Sequence, residues 1–247
     1  VQKHSYEVDK EARILSQIIL GLPGDTKEKH FETLRNEINN RVNTLQLFQA
    51  IMLTGTEMAS LETREKHEIV TKFRIIPGGL GVYRFGDEEV PIGEMEEIIV
   101  SSKDMSFEDY VSCRVMDLLV VSFHNNKLYE EVFLTLETMG IAPFDFLVYL
   151  HEHDELYTPK VQEIIANFKE ATIRDLYDSY EEAQTAALTK ERIALHISGK
   201  IGFNELVHSL GLLYDAFADT VGILVQAMKL CLEEKGLLNT TSEGYFE

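Results

Sequence analysis

Two short stretches hold side chains whose types suit chemistry. His151-Glu-His-Asp-Glu155 brings imidazoles and carboxylates together, the donor types of a metal site. Its spacing argues against one: a zinc helix carries histidines at i and i+4, whereas His151 and His153 point apart on a helix and converge only on an extended strand. The stretch reads as a solvated helix end before Tyr157-Thr-Pro159, and no metal ligand is expected. The second stretch, Ser16-Gln-Ile-Ile-Leu-Gly-Leu-Pro-Gly-Asp25, is an apolar run interrupted by Gln17 and closed by a Gly/Pro turn. On a strand Gln17, Ile19 and Gly21 share one face, and a polar side chain there faces either a polar ligand or a local hydrogen-bond partner. The bare backbone around Gly21, Pro23 and Gly24 either admits a flat ligand closely or makes a tight strand-to-helix turn.

Other candidates are weaker. Gly78-Gly-Leu-Gly81 is neither GxGxxG after a strand nor a P-loop with Gly-Lys-Ser/Thr, so it reads as a turn. Phe73, Tyr83 and Phe85 around it are placed to act as a lid. Cys113 and Cys231 stand far apart on helix-like faces and read as small buried apolar residues, which points to a reducing cytoplasm. No side chain is assigned a catalytic role.

The elements that position these residues follow from periodicity. Ser16 onward is a buried strand, and Asp25 or Thr26 caps a helix over Lys27 to Asn40, with Phe31, Leu34 and Ile38 at helical spacing. Val42 to Met52 is a second strand. Gln46 and Gln49 lie on opposite faces of it, and Gln49, nearer the strand end where the ligands of βα barrels gather, is favoured for the inner face. Together these form a parallel βαβ unit, whose two faces both need cover. Residues 61–93 read as an irregular glycine-rich connection. From 94 onward the pattern turns helical, over Glu94 to Ser102, Ser106 to Asn125, Lys127 to Met139, Pro143 to His153, Val161 to Ala187 and Phe203 to Lys235, with Ser106 and Asp109 as a helix start.

A net charge of −19 disfavours binding to a phosphate backbone, which is held by clustered Lys and Arg. No apolar run approaches the eighteen or so residues of a membrane span, so neither nucleic acid nor membrane is expected as a partner. The Val1 start, without Met or an apolar leader, reads as that of a fragment or processed chain.

The run from Ser16 to Thr26, Thr33-Leu34, Gln46 to Gln49 and Gly55-Thr-Glu-Met58 resembles the fifth-to-sixth-strand part of a radical S-adenosylmethionine barrel. Phe73-Arg-Ile-Ile-Pro77, the turn to Tyr83, Glu94 to Ile98 and Ser106 to Tyr110 resemble the later part of those members that carry a cobalamin-binding domain. Thr54 departs from the pattern, since relatives usually show proline before Gly-Thr-Glu. The resemblance implies an α/β region followed by a mostly α region: the closing βαβ part of a partial TIM-like barrel (residues 1–60), the connection (61–93) and a helical C-terminal region (94–247).

It also implies cofactors: S-adenosylmethionine near Gln17, Ile19, Gly21, Pro23, Gly24 and Gln49, with a [4Fe-4S] cluster and cobalamin in the parent enzyme. The family's cluster motif, CxxxCxxC, has no counterpart here, so neither cysteine of this chain holds the cluster. The expected function is that of a fragment of a radical enzyme that binds S-adenosylmethionine and generates a 5′-deoxyadenosyl radical for cobalamin-dependent methyl transfer or related radical chemistry, inactive alone, whose partners are a small-molecule or peptide substrate and the missing N-terminal barrel half in cis or trans. The alternative is a non-catalytic helical interaction module or a subunit of a split enzyme.

Overall fold

The structure is a computed structural model and describes residues 13–202 and 204–238. Strands β1 (Leu15–Leu20) and β2 (Thr44–Gln49) are adjacent and parallel, with Gln17 opposite Gln46 and Leu20 opposite Gln49. Helix α1 (Lys27–Asn39) joins them, and Thr26 caps it by accepting a hydrogen bond from the Lys29 amide at 3.2 Å. His30, Leu34 and Ile38, four residues apart, form its buried stripe. Leu34 and Ile38 share a core with Ile18, Val42 and Leu45.

The strand path does not stop at Gln49. The Ala50 amide donates to Leu20 O (2.8 Å), the Ile99 amide to Ala50 O (2.9 Å) and the Met52 amide to Glu97 O (2.8 Å). Ile51 thus meets Ile98 in an antiparallel bridge, which joins the parallel pair to a second, antiparallel pair.

That second pair corrects two expectations. Residues 61–93 are not irregular: helix α2 (Leu61–His67) leads into strand β3 (Val70–Phe85), and Glu94 to Ser101 is not helical but the second half of strand β4 (Glu88–Ser101). The glutamates there suggest a helix by intrinsic preference. In the hairpin two glutamates of β4 lie in register with arginines, Glu96 opposite Arg74 and Glu89 opposite Arg84, and cross-strand ion pairs at 2.5 and 2.8 Å offset their poor strand propensity. The two-residue turn Gly86-Asp87, with Gly86 at φ +64°, is a hairpin signal that the glycine-rich composition hides. Gly78 and Gly79 sit where the register shifts between Ile75 and Leu80, and so mark a bulge, not a loop.

The remainder is helical. Helix α3 (Phe107–Leu119) continues into a π-helical turn, Val120–Asn125, and is followed by α4 (Glu130–Thr138) and α5 (Pro143–Glu152). Helix α6 (Pro159–Arg174) ends before the expected Ala187. Tyr177 pairs with Phe73 through two backbone hydrogen bonds of 2.8 Å, pinning the break to the hairpin, and Ser179 caps α7 (Tyr180–Ala187). Helix α8 (Lys190–Ile197) was not anticipated from the sequence. Helix α9 (Asn204–Leu210) runs into a π-helical turn at Gly211–Asp215, and α10 (Phe217–Glu234) is the last helix among the described residues; the expected start at Phe203 lies outside the described residues. One continuous core holds Ile18, Leu34 and Leu45 together with Leu118, Phe144, Phe168, Leu224 and Leu232, so the βαβ unit and the helices share an interior.

Candidate functional site

Burial alternates along β1: Ile18 and Leu20 are buried, while Leu15, Gln17 and Ile19 face outward. On β2 Gln46 and Phe48 share that outward face. Gln17 Nε2 donates to Gln46 Oε1 at 2.8 Å, and Ile19 and Phe48 flank the pair, each 46% exposed. The sheet therefore carries one face covered by α1 and the helical core, and one open face bearing an amide pair between apolar side chains.

Gln49 does not belong to the open face. It is buried on the opposite side and accepts a hydrogen bond from Arg74 Nη1. The alternation of a strand decides this. Proximity to the strand end does not change which way a side chain points, and Gln46, three residues earlier, is the one that joins Gln17.

Gly21 is buried at φ +90°, its amide donates to Asp25 Oδ2 at 3.2 Å, and the Asp25 amide donates back to Leu22 O at 2.9 Å. A Cβ there would lie 3.5 Å from Ile99 O, so backbone conformation, more than crowding, requires glycine. Gly24 (φ +83°) has open space around it, and its carbonyl accepts from Lys29 Nζ at 2.6 Å. Pro23 is half-buried between them. The segment is thus a closed turn held by Asp25, placed at the C-terminal end of β1.

Beneath the covered face runs a buried ionic chain that sequence reading missed. His30 Nε2 meets Asp117 Oδ1 at 3.0 Å, Asp117 Oδ2 accepts from Arg114 Nη1 at 2.9 Å, and Arg114 Nη2 reaches Glu205 Oε2 at 2.9 Å. Burial works against charging His30, but Asp117 beside it outweighs this and raises its pKa. Burial likewise raises Glu205, against the pull of Arg114. The one sequence signal was that His30 lies on the same helical stripe as Leu34 and Ile38.

Next to this chain is a cavity of about 440 Å³ between β2, the hairpin and helices α3, α6, α8 and α9. Its wall includes Phe48, Gln49, Arg74, Arg114, Asp175, Arg192, His196 and Glu205. Asp175 accepts from Arg192 Nη2 and from Asn204 Nδ2, each at 3.0 Å. Arg192 Nε and both ring nitrogens of His196 are buried without a partner. Burial, and then the charge of Arg192, lowers the pKa of His196.

The His151 to Glu155 cluster disperses. His151 Nε2 lies 3.1 Å from Ser112 O and 3.2 Å from Ser112 Oγ, and because a carbonyl only accepts, this nitrogen is a donor and no base for the serine. His153 instead contacts Glu155 at 2.7 Å. Among the described residues no group of three or more His, Cys, Asp and Glu is placed to hold a metal ion. Phe73 packs edge-on against Tyr180 at the hairpin base, whereas Tyr83 and Phe85 are exposed near its tip, so the three do not gather into a lid. Cys113 and Cys231 are both buried, and burial pushes both thiols up. Among the described residues no single helix is long and apolar enough to cross a membrane.

No protein-family model matches this chain, and no curated protein matches it.

Proposed function

We propose that the chain supplies the closing strands of a radical S-adenosylmethionine barrel and works with a polypeptide segment that brings the cluster cysteines. The observation that carries this reading is the open face of the parallel β1–β2 pair, where Gln17 and Gln46 hydrogen-bond between the half-exposed Ile19 and Phe48. Parallel strands are ordinarily covered on both faces, and a barrel places such a face toward its lumen. In this reading the adenine of S-adenosylmethionine lies across Gln17 and Ile19 near the Gly21–Gly24 turn, and cobalamin and the [4Fe-4S] cluster belong to the rest of the enzyme. With only Cys113 and Cys231, both buried, the three thiolates of the cluster come from elsewhere.

The test begins with the protein tagged in its native cell and purified without oxygen. The expected preparation contains a CxxxCxxC-bearing segment, joined or associated, with iron and labile sulfide, and releases 5′-deoxyadenosine under strong reductant. Gln17→Ala in that preparation weakens S-adenosylmethionine binding about tenfold, the effect of one lost polar contact. Gly21→Val is unsuitable for this purpose, because the positive φ at Gly21 makes any side chain there strain the fold. Release of 5′-deoxyadenosine by the isolated 247-residue chain, or a native preparation free of iron, overturns the proposal.

A further inference from the structure

A second cavity, of about 240 Å³, opens between the end of α1, the π-helical turn that follows α3, and helix α4. Two of its lining residues stand where a side chain is costly. Arg41 (φ +64°) and Lys127 (φ +55°) take left-handed backbone just past helix ends, a place that glycine usually fills. Among the described residues only Glu68 also does so without being glycine. Arg41 is spent on Glu137, at 3.1 Å. Lys127 is not spent: its amine makes no hydrogen bond or ion pair among the described residues, and it is not shut off from solvent as the unpaired nitrogens of Arg192 and His196 are. Burial lowers the Lys127 pKa, against the pull of Glu130. An ammonium that gives up hydration without an ion pair in exchange shifts toward the free amine, which is the nucleophilic form.

The surroundings of the amine select what it can meet. Phe123, Phe133 and Leu134 supply an apolar wall. His124, which burial keeps neutral, donates through Nε2 to Val42 O at 2.8 Å. With Arg41 and Glu137 cancelling each other, Glu130 is the one charge left among the lining residues once the amine is neutral. The cavity therefore disfavours an anion and suits an uncharged ligand. We propose that Lys127 is a nucleophile that forms an imine with a small uncharged aldehyde, whose apolar body rests against Phe123, Phe133 and Leu134. The Nζ lone pair attacks the carbonyl carbon and a C–N bond forms. Both amine protons pass to the carbonyl oxygen, with Glu130 on the same cavity wall as the carboxylate placed to ferry them. The C–O bond then breaks, the oxygen leaves as water, and a C=N double bond remains, with no oxidant or reductant required. This assignment uses none of the residues of the β1–β2 face and does not depend on the radical-enzyme reading.

The probe is benzaldehyde, incubated near neutral pH with the full chain and sodium cyanoborohydride, which reduces the imine to a stable secondary amine. Benzylation of each lysine is read by peptide mass spectrometry. Lys127 is expected to react about tenfold faster than the other lysines, with a rate that saturates as benzaldehyde rises. The anionic 4-formylbenzoate should lose most of that preference for Lys127. Leu134→Ser should raise the half-saturating benzaldehyde concentration about fivefold and leave the rates at the other lysines unchanged. Labelling of Lys127 no faster than the other lysines, a rate strictly proportional to benzaldehyde, or an equal preference with 4-formylbenzoate overturns the proposal. Because these three readouts are taken on the unaltered chain, a variant that fails to fold does not decide the outcome.

Discussion

His30 and His124 illustrate how two buried histidines make opposite demands on pH. The His30–Asp117 contact raises the His30 pKa, so its contribution is fully present below the ordinary histidine value near 6.5 and is lost as pH rises through the raised value. His124 donates from Nε2 to Val42 O at 2.8 Å, yet burial, aided by Lys127, lowers its pKa to about 4. It folds neutral, so its contribution is present above about 6.5 and is lost as pH falls from there toward 4, on the order of 3 kcal/mol in all. Urea denaturation across pH should show both limbs. His124→Gln, which can keep the bond to Val42 O, should flatten the acid limb, and Asp117→Asn should flatten the other. Asp117→Asn should also cost about 3–5 kcal/mol near neutral pH, because Arg114 and His30 then remain buried with their partner's charge removed. None of this coupling was legible in the sequence, since the two members of the His30–Asp117 pair lie 87 residues apart and only packing brings them together.

At the scale of elements, local chemistry was readable wherever it was self-contained. Ser106 accepts from the Asp109 amide at 3.0 Å and donates to the Asp109 carboxylate at 2.7 Å, as a helix-start motif should. Ser106→Ala is expected to cost about 1 kcal/mol in chemical denaturation. Where an element depended on its neighbour, the reading failed. Glu97 sits in β4 because Arg64 of α2 grips both its oxygens, at 2.7 and 2.9 Å, and Thr71 adds a further hydrogen bond. Arg64 holds the Glu97 carboxyl below its usual range, so this contact is present above about pH 4.3 and is lost as pH falls through the lowered value. Arg64→Met should therefore cost about 1–2 kcal/mol at neutral pH and nearly nothing in strong acid.

For the whole molecule, the shared interior predicts cooperative behaviour. Ile18, Leu34 and Leu45 contribute to the same core as Leu118, Phe144 and Leu232, so no apolar boundary separates the βαβ unit from the helices. Hydrogen exchange should therefore report one dominant opening for the amides of α1, α5 and α10. A chain truncated to residues 94–247 loses one strand of the hairpin and the cover over α3 and α5; near-UV circular dichroism should show it without fixed tertiary packing, and two independent unfolding transitions in the intact chain would contradict the shared core.

The sequence by itself determined the parallel β1–α1–β2 unit, the start of α3 and the helical character of most of the chain after Ser106, because apolar spacing, caps and turn residues act over a few positions. It also determined that Gln17 and Ile19 share a face, which alternation alone requires. Only the tertiary structure decided that Gln46 and not Gln49 joins them, that Glu94 to Ser101 is a strand whose Glu96 and Glu97 are held by Arg74 opposite and by Arg64 of α2, and that Arg192 and His196 line one cavity with Arg74 and Glu205. Each of these outcomes rests on contacts between distant segments, whose energies depend on who arrives opposite whom, and no local pattern of residues encodes that arrival.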